Sequence, residues 1–266
     1  MKVELVEDPA DPRVADYREA RDGRLRRRAG LFLVEGRLVV RRVLGASRFE
    51  TRSLLLTPRA LDDLRDLLAG ADAPPAYLAS AEIIRAVVGF KFHRGCLAVV
   101  GRGAPLEPES LIEPLGPRTL VALEELADPD NVGAVFRNAA AFGAAGVLLS
   151  PGCADPLYRK AIRVGMGATL SLPFARTEWP AGLERLRGAG YTLVALTPEP
   201  DAADISAVAT RGLPSRRLAL LVGSEGRGLD AGTRDTADCR VRIPMAVGAD
   251  SLNVATACGI ALHRLA

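Results

Sequence analysis

The sequence predicts an α/β protein whose C-terminal part is a mostly parallel sheet, preceded by a smaller α/β domain. Three observations carry this reading. Strand-like runs lie at Thr119–Leu123, Gly146–Leu149, Tyr191–Leu196, Leu218–Val222 and Arg240–Ile243, with a weaker one near Leu170–Phe174. Helical periodicity fills most of the gaps, around 132–142, 155–166, 180–189 and 251–264. Strand followed by helix, repeated, implies parallel strands covered on both faces. Finally, Gly101–Pro117 holds three Gly and four Pro among alternating acids, the composition of a linker. The expected division is therefore 1–105, a linker at 106–117, and 118–266. Ordinary connection rules make the second sheet an unknotted, doubly wound one.

The first part reads as alternating short elements. Arg13–Arg28 is a basic helix with Val14, Tyr17 and Leu25 as its apolar anchors, ended by Gly30. Leu31–Val34 is a short buried strand, and Glu35-Gly36 leads into a helix through Leu38, Val39, Val43 and Leu44. Ser53–Leu56 then runs into a helix over Pro58–Ala69. A further helix starts at Ser80, and Cys96–Val100 is the last strand of this part.

Composition limits the function classes. The chain has 266 residues, 48% hydrophobic and 25% charged, enough for packed cores. No apolar run is long enough to cross a bilayer, and Met1-Lys2-Val3-Glu4 does not open a secretory leader. Cys96, Cys153, Cys239 and Cys258 are spaced too widely for a metal pair, so reduced thiols, a cytoplasmic location and no metal are expected. Residues 1–105 carry 19 basic and 14 acidic side chains, and residues 106–266 carry 16 and 18. Most of the excess lies in 13–59, where 13 arginines face 5 acids. A basic module joined to a near-neutral one suits a polyanion-docking part beside a chemical part; a solvated arginine-rich surface is an equal reading.

Three clusters follow strand-like runs, where open parallel sheets bind ligands. Asp128-Pro129-Asp130-Asn131-Val132-Gly133 has the composition of a turn and helix cap, and Arg137 lies four residues beyond Gly133. Helical side chains lean toward the N-terminus, so Arg137 can extend back over Gly133 toward Asn131 and the helix's positive end, where a phosphate could sit. Gly223-Ser224-Glu225-Gly226-Arg227-Gly228 directly follows Leu218–Val222; its glycines allow close backbone approach, and it lacks both the P-loop lysine and the dinucleotide spacing. Ile243-Pro244-Met245 ends the last strand, and Ser251 or Asp250 is placed to cap a final helix carrying Leu252, Val254, Ala257, Ile260 and Leu262. Each cluster alone is equally well a plain turn or cap.

Taken together and in this order, the three clusters resemble the signature of the SpoU (TrmH) family of RNA ribose 2'-O-methyltransferases, within the SPOUT superfamily. The resemblance covers roughly 118–266. Phe32–Gly36 and Gly95–Ala98 are similar to the RNA substrate-binding domain that often precedes it, a ribosomal-protein-like α/β/α sandwich. Lys91-Phe92-His93-Arg94 departs from the Thr and Gln that relatives show before Gly95. The resemblance implies a C-terminal trefoil knot, against the connection rules above, and a homodimer with active sites at its interface. It also implies S-adenosylmethionine bound in the knot by residues around Leu196, Thr197, Gly223, Ile243 and Leu252, and catalytic or near-catalytic roles for Asn131, Arg137, Glu225, Ser251 and Asn253. The family's mechanism makes the arginine a general base. A guanidinium is hardly ever deprotonated in proteins, so Arg137 is better read as a phosphate clamp and electrostatic stabiliser. RNA is the implied partner, with 23S ribosomal RNA favoured over tRNA by the two-domain layout. The rival readings are a non-catalytic RNA-binding or ribosome-assembly factor, and a nucleotide-dependent oxidoreductase on an ordinary sheet.

Overall fold

The structure, a computed structural model, describes residues 3–19, 30–45, 47–70, 73–90, 92, 95–246, 248 and 251–266. The remainder of the expected helix Arg13–Arg28, Asp250, and all but Phe92 of the segment Lys91–Arg94 lie outside the described residues. The chain divides into two compact units. One comprises 1–104 with 157–171, and the other 105–156 with 172–266.

In the first unit a five-stranded sheet has the order β1-β4-β3-β5-β2, with β1 Val3–Leu5, β2 Leu31–Glu35, β3 Thr51–Leu56, β4 Ala76–Leu78 and β5 Cys96–Gly101. β1, β4 and β3 run parallel, and β5 is antiparallel to both β3 and β2. Alternate side chains of these strands, Leu33, Leu55, Leu97 and Val99, pack with Val14, Tyr17, Ile84 and Val88. The opposite set, Phe32, Val34, Leu54 and Leu56, is buried as well, which is why the strands read as continuous apolar runs. The buried Tyr17 hydroxyl meets Ser53 Oγ at 2.9 Å, so this polar tip is partnered. β1 and β4 are three residues each and gave no run to detect. The helix from Pro58 stops at Leu64 rather than Ala69, continuing as turns. Segment 157–171, which follows the second unit's Gly146–Leu149 strand in sequence, belongs here. Arg159 bonds the nearly buried Glu35 at 2.9 Å and lies 3.9 Å over the Phe90 ring.

The second unit holds a seven-stranded sheet in which every pairing is parallel. Its strands are β6 Arg118–Leu123, β7 Gly146–Leu149, β8 Phe174–Arg176, β9 Thr192–Leu196, β10 Ala203–Asp204, β11 Arg217–Val222 and β12 Cys239–Arg242, in the order β10-β12-β9-β11-β6-β7-β8. β11 thus enters between β9 and β6, and β12 between β10 and β9. One face packs Leu120, Ala122, Leu148, Leu193 and Leu221 against Leu111, Ile112, Leu183 and Leu186. On the other, the helices Pro129–Ala141 and Val254–Leu265 bury Val132, Val135, Phe136, Cys258 and Leu262.

Three expectations need correcting. The proline- and glycine-rich stretch at 106–117 is not only a linker: it carries a helix, Glu109–Ile112, whose Leu111 and Ile112 enter this core. The run Leu170–Phe174 divides into the end of a helix, Ala168–Ser171, and the start of β8. The final helix is not capped by Ser251 and begins only at Val254. Asn253 is itself the cap, its Oδ1 accepting from Ala255 N and Thr256 N at 3.0 and 3.3 Å, because a side-chain carbonyl there satisfies two otherwise orphaned donors at once.

Candidate active site at the strand ends

β12, β9, β11 and β6 are neighbours, so the loops leaving their C-terminal ends converge although they are far apart in sequence. Those after β9, β11 and β12, with the start of the last helix, enclose a cavity of about 320 Å3. Leu196, Thr197, Gly223, Ile243 and Leu252 all line it, as do Glu225 and Ser251. Thr197 is buried and tied to β12 by its N–H bond to Val241 O at 3.0 Å, and its Oγ1 accepts from Glu199 N at 3.3 Å.

The loop after β11 is held by its own backbone. Gly228 N donates to Ser224 O at 2.9 Å, folding the loop back on itself. A Cβ at Gly223 would lie 2.1 Å from the Gly228 carbonyl carbon, so no other residue fits without moving backbone. This is the close approach for which glycine is needed.

Beside the cavity runs a chain of side-chain hydrogen bonds. Asn253 Nδ2 donates to Asn131 Oδ1 at 2.9 Å, and Asn131 Nδ2 donates to Glu225 Oε1. The cap of the last helix is thereby joined to the first turn of the helix Pro129–Ala141 and to the glycine-rich loop. Asp128 caps that helix, accepting from Asp130 N at 2.9 Å, with Pro129 at its first position. Asn138 Nδ2 bonds Ala255 O at 2.6 Å, where Gly259 leaves no room for a Cβ, so the two helices lie close. Arg137 differs from the others. It is exposed and has no hydrogen bond or ion pair among the described residues. Asn131, Arg137 and Asn253 do not line the cavity.

Sequence reasoning missed other lining residues. Glu199 accepts from Arg234 Nε at 3.2 Å and from Arg240 Nη1 at 3.4 Å, and Arg227 and Met245 also face the cavity. Arg234 belongs to a helix, Ala231–Thr236, too short and polar to be read from periodicity. Among the described residues no cluster could hold a metal ion, and no helix is long and apolar enough to cross a membrane.

The sequence pattern of the SpoU rRNA methylase family matches residues 118–263. The chain belongs to that family, one of RNA methyltransferases. Within it, this SpoU chain is 45% identical to an uncharacterised tRNA/rRNA methyltransferase of Mycobacterium tuberculosis, an alignment covering 99% of this chain and 92% of that one. Its fold matches the crystal structure of an AdoMet-bound rRNA methyltransferase from Sinorhizobium meliloti with a TM-score of 0.83 and 26% identity, covering 98% and 97% of the two chains. It also matches the crystal structure of an RNA 2'-O ribose methyltransferase, with a TM-score of 0.80, 26% identity and the same coverage. The mostly parallel α/β sheet is therefore shared with SPOUT methyltransferase structures.

Proposed function

We propose that this chain transfers the methyl group of S-adenosylmethionine to a ribose 2'-hydroxyl of RNA, with ribosomal RNA the favoured substrate. The observation that carries the reading is the cavity at the ends of β9, β11 and β12, bordered by the hydrogen-bonded series Asn253, Asn131, Glu225. Its volume falls within the range of small-molecule sites, and its lining offers mostly backbone groups and apolar side chains around a glycine turn, which fits a zwitterionic nucleoside. When bound, the donor supplies a methyl group activated by the positive charge of its sulfonium. Leu196, Thr197, Gly223, Ile243 and Leu252 would hold it.

The chain's own residues then have distinct roles. Arg137, exposed and unpaired, is available to a phosphate next to the target ribose, where its guanidinium would also stabilise charge developing on the hydroxyl oxygen. Asn131 is locked through both ends of its amide, so it can position the ribose without reorganising. Glu225 fixes Asn131 from the glycine loop, Asn253 fixes it from the helix cap, and Ser251 lies at the cavity wall. The insertion of β11 and β12 between earlier strands supports a C-terminal trefoil knot, and the ribosomal-protein-like reading of the first unit supports an RNA-docking role. A homodimer completes the proposal. No observation favours the oxidoreductase: the glycine loop follows β11 rather than the first strand of the sheet.

Incubating the full chain with radiolabelled S-adenosylmethionine and total RNA, then digesting to nucleosides, tests this. Label is expected in 2'-O-methylnucleosides of ribosomal RNA. Label on bases would overturn the ribose assignment, label confined to tRNA would overturn the substrate, and no label in any RNA would favour a non-catalytic RNA-binding factor.

A further inference from the structure

The chemistry above uses one end of the second sheet; the other end carries a feature of its own. There the starts of β6 and β11, the turn after the helix Pro129–Ala141 and the end of the helix Val254–Leu265 enclose a second cavity of about 460 Å3. Arg118, Arg216, Arg264 and Phe142 line it, and no acidic side chain does. Arg216 and Arg264 are exposed and have no hydrogen-bond or ion-pair partner among the described residues. Arg118 gives Nη1 to Pro114 O at 3.1 Å, while its Nε is buried without a partner. Phe142 is 38% exposed and held edge-on against His263, ring centres 5.7 Å apart.

This grouping differs from the chain's ion-paired arginines. Arg13, Arg37, Arg41, Arg65, Arg185 and Arg240 all face a carboxylate within 3.0 Å. Three cations around one concavity repel each other, and the lining sets against them the end of the last helix with Ala266 but no acidic side chain. Arg264 complements the negative end of its own helix. Arg118 and Arg216 stand at the starts of strands and have no such role. Guanidinium groups beside an exposed aromatic face are the means by which proteins take a single-stranded nucleic acid, phosphates on the cations and a base on the ring.

We infer that this cavity is a second RNA contact, in which Arg118, Arg216 and Arg264 hold backbone phosphates and Phe142 stacks a base. A six-residue strand such as β6 spans about 20 Å, which is the distance along the strands from this contact to the reactive end. The inference rests on the RNA-methyltransferase reading.

The test uses the full chain, a fluorescein-labelled oligouridylate read by anisotropy over a range of salt, and calorimetry with S-adenosylmethionine alongside. The pair Arg216→Glu with Arg264→Glu is expected to weaken oligouridylate binding about tenfold or more. The gentler pair Arg216→Gln with Arg264→Gln should flatten the slope of log affinity against log salt by about 1.4, or about 0.7 for each phosphate lost. Donor binding should stay unchanged in both, and Arg185→Glu, a paired arginine of the same unit, should bind as wild type. Ultraviolet crosslinks of the wild type should include Phe142 or His263. Affinity within twofold, an unchanged salt slope and crosslinks only elsewhere would overturn the inference while leaving methylation standing. Arginine-dependent RNA binding by a chain that takes up no donor would instead overturn the methylation reading and keep this contact.

Discussion

The two ends of the seven-stranded sheet hold opposite kinds of chemistry. At the C-terminal end, glycine turns and backbone groups surround a cavity bordered by side chains that bond one another in series, from Asn253 through Asn131 to Glu225. At the N-terminal end, three arginines and a phenylalanine surround a cavity that no acidic side chain lines. A preorganised, self-satisfied end suits a small ligand that must be held in one geometry. An end of unsatisfied cations suits a large polyanion gripped by charge. Arg137 is the exception that joins them: it sits on a helix beginning at the organised end, yet is as free as Arg216.

The largest expected effect comes from removing that exception. Arg137→Ala should lower methyl transfer by about 10²–10³-fold, the usual cost of deleting a side chain that stabilises developing charge, while calorimetric donor affinity stays near wild type. Unchanged turnover would remove Arg137 from the reaction. Gly223→Ala should act through structure: the new Cβ meets the Gly228 carbonyl, the loop must open, and donor affinity should fall about tenfold or more with a lower melting temperature. Asn131→Ala should cost about 10–100-fold in kcat with little change in donor affinity, since it breaks positioning and not the cavity wall. Loss of donor binding there would mean the hydrogen-bonded series shapes the cavity itself.

The smallest effect concerns neither end and calibrates the rest. Burial pushes the Cys96 and Cys258 thiols up to about 12 and raises Cys153 and Cys239 as well, but of the four only Cys239 is partly open to solvent. Alkylation at pH 8 should therefore label Cys239 first and the others only on unfolding. Because the folded state holds these protons above their ordinary thiol value, stability should be level below about pH 9 and decline from there toward 12. Thermal melts across that window check it.

The organised end was legible in the sequence because its strands were. β6, β7, β9 and β11 are buried on both faces, so each is an apolar run, and the polar cluster after a strand marks its end; β12 buries only Val241 between two arginines. All five residues expected to hold the donor do line one cavity. The bonds from Asn131 to Glu225 and Asn253 were not legible, since they depend on strand order, which periodicity does not encode. Short strands such as β1, β4 and β10 lack a run, and Leu111 and Ile112 were hidden among prolines and glycines. The arginine cavity was invisible for another reason: Arg118, Arg216 and Arg264 lie far apart in a chain where arginine supplies nearly every cation.

Calorimetric titration of the full chain with S-adenosylmethionine tests the central claim, a donor cavity assembled from the ends of β9, β11 and β12, most directly. One donor per chain is expected for the wild type and for Arg137→Ala, with binding lost or severely weakened in Gly223→Ala. No binding to the wild type, or wild-type affinity in a well-folded Gly223→Ala, would contradict it.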